Sequence, residues 1–209
     1  HFSEIKKGPA DKITVPVDMA GQSLFRKKDI EQIHLGFAFP SVKRFDKLFD
    51  ATQILSSVLG GSMSSRLFQK VREELGLAYT VYSYLSSYDE TGSLVVYAGV
   101  NSGNYKKSVD AIFNCITDIK SKKISKEEFK RGKEQLTSSL VFSQESTSAQ
   151  MLLYGKELIY SGKVYDFEKR VKQISDVALD DVAEAIENNF NRDKLAVSVV
   201  GNVDKPLTL

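Results

Sequence analysis

Gly60-Gly61-Ser62-Met63-Ser64-Ser65-Arg66-Leu67-Phe68-Gln69-Lys70-Val71-Arg72-Glu73-Glu74-Leu75-Gly76-Leu77-Ala78-Tyr79 reads as a boundary, a helix and a second boundary. The glycine pair closes the helix before it, because glycine takes the conformations of a helix C-terminus at little cost. Ser64 or Ser65 can cap the next helix, over 65–75, whose apolar face is Leu67, Phe68, Val71 and Leu75. Gly76 stops that helix and a tyrosine-rich strand begins at once. Arg72 and Tyr79 straddle the turn, an arrangement that can aim a guanidinium and a phenol at one point.

Upstream, residues 30–39 alternate: Ile33, Leu35, Phe37 and Phe39 share one face, and Gln32, His34, Gly36 and Ala38 the other. That is a strand with one buried face. Its second face is uncharged and can line a cavity. Residues 43–59 carry Phe45, Leu48, Phe49, Leu55, Val58 and Leu59 as a helical stripe. Ile13–Val17 contains a proline and reads as a short edge strand. Residues 1–12, with Lys6-Lys7-Gly8-Pro9, read as a linker or arm before a single domain over 13–209.

Downstream, strands at 78–88 and 93–100 are joined by the turn Asp89-Glu90-Thr91-Gly92. Alternation puts Tyr79, Val81, Ser83 and Leu85 on one face and Tyr82, Tyr84 and Tyr88 on the other. An amphipathic helix follows over 105–120, through Val109, Ile112, Phe113, Ile116 and Ile119. Ser125-Lys126-Glu127-Glu128 is a capping box for a helix that runs toward Tyr160, with a break expected between Ser143 and Ser148. Helices near 165–173 and 178–190 and a last strand over 195–200 complete the chain. With no regular strand–helix–strand alternation, the fold class is α+β: two layers, a mostly antiparallel mixed sheet with helices on one face.

The 209 residues suffice for a core without cross-links. Apolar residues make up 42 % and the 29 basic residues nearly balance the 27 acidic ones, so the surface matches neither nucleic acid nor a membrane. No apolar run approaches the roughly 20 residues of a membrane span. The start carries no signal-peptide pattern, which makes the cytoplasm the expected compartment, although the first residue of a fragment says nothing about export. The single cysteine, Cys115, sits among apolar neighbours and reads as a small core residue.

Metal chemistry needs three or four ligands, and the chain has two histidines, His1 and His34, with no H-x-x-E-H, H-E-x-x-H or C-x-x-C motif. No metal ligand is therefore assigned. G-x-S-x-G is absent, and Gly60-Gly61-Ser62-Met63 lacks the Lys-Ser/Thr of a P-loop. Glu73 and Glu74 are adjacent on a helix and point about a hundred degrees apart, poor geometry for an acid–base pair. Arg72 and Tyr79 remain, each with a bland reading: Arg72 complements the helix dipole, and Tyr79 packs.

Here the sequence resembles the C-terminal half of a pitrilysin-family (insulinase, mitochondrial-processing-peptidase) zinc metallopeptidase. The resemblance runs from about Ile13 to Val203. It is sharpest at Asp29–Leu35, at Leu59-Gly60-Gly61 with Ser64–Phe68, and at Val71-Arg72-Glu73 with Gly76-Leu77-Ala78-Tyr79. It implies a clamshell of two similar halves. The first half carries zinc on an inverted H-x-x-E-H motif, and the second reaches across a chamber with an arginine and a tyrosine that match Arg72 and Tyr79. The zinc motif is absent here, so the resemblance implies zinc in the full-length enzyme, none bound by this chain, and no peptide hydrolysis by this chain alone. A phenol, with an ordinary pKa of about 10, can donate to the oxygen of a carbonyl under attack, and an arginine can grip a substrate carbonyl with paired donors. Gly60 and Gly61 join Arg72 and Tyr79 as candidate substrate-binding residues. The implied partners are an N-terminal zinc-bearing half and a peptide substrate, and a homodimer fits the same scheme. Arg66 reads as structural, in an ion pair near the helix start. Two alternatives stay open: a scaffold subunit of the same fold, as in respiratory complexes, and a peptide-binding module working alone.

Overall fold

A computed structural model of the protein describes Ser3, Glu4, Lys6 and residues 21–203. The edge strand expected at Ile13–Val17, and most of the linker expected at 1–12, lie outside these residues.

Strands β1 (Ser23–Lys27), β2 (Gln32–Ser41), β3 (Ala78–Ser87), β4 (Gly92–Asn101) and β5 (Ala196–Gly201) form one sheet in the order β1-β5-β2-β4-β3. β1 pairs with β5 in parallel, and the other neighbours are antiparallel. The α+β class expected from the sequence is the one found. β2 is central, and its alternating apolar residues Ile33, Leu35, Phe37 and Phe39 are all fully buried. They face helices α1 (Phe49–Gly60), α2 (Tyr105–Lys122) and α6 (Leu179–Asn188). Phe37 meets Phe113 of α2, and Phe39 meets Phe190 after α6, each edge to face with centroids 5.2 Å apart. One sheet face thus holds the core and the other is open.

The long helical stretch breaks where expected. α3 (Lys126–Ser143) is followed by α4 (Thr147–Ser161), then α5 (Phe167–Asp176). The Ser125 hydroxyl accepts from the Glu128 amide while the Glu128 carboxylate accepts from the Ser125 amide, which is the capping box read from the sequence. The polar run before α4 supplies Ser146, whose hydroxyl accepts from the Ala149 amide and starts the new helix.

Two expectations are corrected, and one strand was not expected. Phe45 does not join the stripe of α1: it is exposed, with φ +60°, because the Asp46 carboxylate takes the Leu48 amide and forms a turn that delays the helix to Phe49. Neither Ser64 nor Ser65 caps the next helix by accepting a backbone bond, and the Ser65 hydroxyl donates to the Ser62 carbonyl instead. β1 was not foreseen. Its residues are exposed apart from half-buried Phe25, so it lacks the alternation that marks a strand, and its pairing with β5 joins opposite ends of the chain.

Candidate functional site

The helix between Gly61 and Gly76 is π-helical over Phe68–Glu74. The Leu75 amide reaches back to the Lys70 carbonyl, and the Leu77 amide to that of Val71. π-turns are rare and concentrate at functional sites. Leu67 and Val71 are fully buried, whereas the wider turn carries Leu75 off the stripe and into solvent. Gly76, at φ +58°, ends the segment in the left-handed conformation that glycine adopts without strain. Arg72 lies in the last turn, as the sequence indicated, where a cation complements the carbonyl end of a helix. Its side chain is 42 % exposed.

Tyr79 is where alternation fails. Ala78 is opposite Val100 and Thr80 opposite Gly99, so Tyr79 is an extra residue in β3, a β-bulge. Val81 and Ser83 face the core as expected, but the bulge turns Tyr79 out to 73 % exposure instead of placing it with them. Bulges re-aim side chains in this way. The outcome is a meeting of the two residues singled out from the sequence. The Arg72 guanidinium carbon lies 5.8 Å from the centre of the Tyr79 ring and 4.8 Å from that of Phe68. The nearest carboxylate oxygen to the Arg72 Nε, that of Glu73, is 3.8 Å away. Both side chains are exposed beside one another.

Packing accounts for the glycine pair. Gly60 is buried against β3, where an added Cβ would sit 2.5 Å from the Ser83 nitrogen. At Gly61 it would sit 2.6 Å from the Ser57 Cα. Gly60 lets the end of α1 lie directly on β3, the strand that carries Tyr79, and Gly61 lets the chain leave α1 close against that helix's own last turn. Arg66 is structural, as expected: its Nε and Nη2 donate to the two carboxylate oxygens of Glu128 at 2.6 and 2.8 Å, and Nη2 also donates to the Lys123 carbonyl at 2.8 Å. These bonds tie the π-helical segment to the start of α3. Arg66 holds the Glu128 carboxyl below the usual carboxylate range and is itself held above its ordinary value. Cys115 is buried and its thiol is pushed up to about 11, chiefly by burial.

The open sheet face carries a group that sequence reasoning set aside. The phenols of Tyr82 and Tyr97 lie side by side with ring centres 5.0 Å apart, Tyr84 stands 6.0 Å from Tyr82, and the Tyr97 hydroxyl is 2.6 Å from His34 Nδ1. Burial, with Tyr82 nearby, raises the Tyr97 phenol above its ordinary value. Alternation alone put His34 and Tyr82 on outward faces, but their being neighbours depends on β4 lying between β2 and β3. Among the described residues no group of three His, Cys, Asp or Glu side chains could hold a metal ion, so this donor set does not fit a zinc site. No described helix is long and apolar enough to cross a membrane.

Comparison with known proteins agrees with this architecture. The family model for the peptidase M16 inactive domain matches residues 1–136. The chain is 36% identical over 188 residues to the uncharacterized zinc protease YmxG of Bacillus subtilis, covering 90% of this chain and 46% of that protein. It is 33% identical to an uncharacterized zinc protease of Rickettsia felis, covering 91% of this chain and 46% of that protein. The chain thus spans about half the length of these curated relatives. The peptidase M16 inactive domain from Pseudomonas fluorescens superimposes with a TM-score of 0.83 at 22% identity, over 95% of this chain and 48% of that one. A chain of Complex III2 from Candida albicans does so at 0.83 and 15% identity, over 95% and 50%. At those identities the two structures speak for the fold alone. The family-model match over more than half of the chain establishes that this chain belongs to the peptidase M16 inactive-domain family.

Proposed function

We propose that this chain is the substrate-binding half of a two-half zinc metallopeptidase, lending Arg72 and Tyr79 to a site completed by a zinc-bearing companion half. The observation that supports this reading is the meeting of the Arg72 guanidinium and the Tyr79 ring, 5.8 Å apart and both exposed. A π-helical turn and a β-bulge, two departures from regular structure, produce that meeting. Neither side chain is needed by the core. The Tyr79 hydroxyl can donate to a carbonyl oxygen as negative charge grows on it, and the Arg72 fork can hold a neighbouring backbone carbonyl of an extended peptide. This chain brings orientation and hydrogen-bond donors. Zinc, with its water-activating chemistry, comes with the companion half, and hydrolysis needs both halves together.

The test is to mix this chain with an H-x-x-E-H half and follow cleavage of an unstructured peptide. Tyr79→Phe keeps the ring and removes one donor, and should lower kcat on the order of a hundred- to a thousand-fold with little change in KM. Arg72→Ala should raise KM. Cleavage at parental rates by both variants would show the assigned roles to be wrong.

A further inference from the structure

α4 has no buried residue over its whole length, Thr147–Ser161. An isolated helix this short is marginal in water, and most helices in proteins persist because an apolar face is covered. At a hundred degrees per residue, Tyr154, Leu158, Met151, Gly155, Ile159 and Leu152 fall in one continuous arc. Lys156 and Glu157 fall outside it, and its polar members, Thr147 and Ser148, belong to the first turn. Met151 is 68% exposed and Ile159 80%. Gly155 is at the middle of the arc, and a Cβ there would meet nothing within 4 Å. A mid-helix glycine costs helix stability relative to alanine, and nothing among the described residues requires one at 155.

A glycine flanked by large apolar residues one turn away on each side, Met151 and Ile159, is a groove into which another helix can pack closely. We infer that this face of α4 seats a helix of the companion half. The inference rests on the two-half reading proposed above. The arc carries no charge at its centre, which fits a permanent interface better than a passing substrate. The chain covers only 46% of its curated relatives, so they have a comparable length of chain to supply the partner helix.

The test uses this chain and an H-x-x-E-H companion half as separate proteins, with association measured by calorimetry. Ile159→Glu and Gly155→Leu change exposed positions, and parental melting curves confirm that both variants fold. Each should weaken association at least about thirtyfold, the loss expected at one interface hot spot. Arg72→Ala should bind the companion at parental strength while raising KM for the peptide. As an independent reading, an Ile159→Cys variant should react with a maleimide freely alone and at least about tenfold more slowly in the complex. Parental binding by both α4 variants, or unprotected labelling at 159, overturns the surface and leaves the two-half reading standing. Failure of the unmodified chain to bind the companion overturns the two-half reading itself. Dimerisation of this chain that Ile159→Glu abolishes makes a second copy the occupant and refutes the companion.

Discussion

Arg66→Ala should be the most informative single change to the scaffold. Arg66 makes two charge-assisted bonds to Glu128 and one to the Lys123 carbonyl, with side chains 23% and 18% exposed. Breaking a fully buried ion pair costs about 3–5 kcal/mol, and an exposed one about 0–1. At this intermediate burial the expected loss is about 2 kcal/mol, or roughly 4–8 °C in Tm for a domain of this size. The pH dependence supplies a second reading. Arg66, and after it the Ser125 amide, depress the Glu128 carboxyl in the folded state. The stabilisation is therefore complete above the unfolded carboxylate value of about 4.3 and is lost as pH falls through the lower folded value. The gap between parent and Arg66→Ala should be full at pH 7 and close below about pH 4. Glu128→Gln keeps a side chain able to complete the capping box, so a double-mutant cycle with Arg66→Ala isolates the pair and should show coupling of about 1 kcal/mol or more. Thermal unfolding and urea titrations followed by circular dichroism measure all four proteins. A Tm change under about 1 °C, or a gap that does not vary with pH, would refute the account of Arg66 as the tie between the π-helical segment and α3.

Other outcomes follow from the same structure. Gly60→Ala places a methyl 2.5 Å from the Ser83 nitrogen and should cost about 1–3 kcal/mol, with faster amide exchange along β3; parental stability would mean that α1 does not lie on that strand. Gly76→Ala meets no neighbour, so its cost is conformational alone, about 1–2 kcal/mol by denaturant titration, and a neutral result would contradict the left-handed turn. Cys115, buried and with its thiol raised to about 11, should react with a disulfide reagent at pH 7 at least about a hundredfold more slowly in the folded chain than in urea. Equal rates would place the thiol at the surface.

Most of the elements were legible because their signals are local. The buried stripe of β2, the capping box at Ser125, the break before Thr147 and the stop at Gly76 each rest on a few consecutive residues, and each stands in the structure. The aromatic group on the open face was only half legible, since strand order decides which outward tyrosines are neighbours. α4 reads in the sequence as the continuation of a helical stretch, and nothing local says that, among the described residues, Tyr154 alone on its apolar face meets another ring, that of Tyr165, while no residue of the helix is buried.

By itself, the order of residues determined the α+β class and most of the core faces, because side-chain periodicity and turn chemistry act over a few positions, while the resemblance to a peptidase family singled out Arg72 and Tyr79. Tertiary structure decided where Tyr79 points. Strict alternation sends it into the core beside Val81, and only the register between β3 and β4 leaves it as the extra residue of a bulge, turned out toward Arg72. Register is settled between strands rather than within one, and a shift of a single residue exchanges inside for outside.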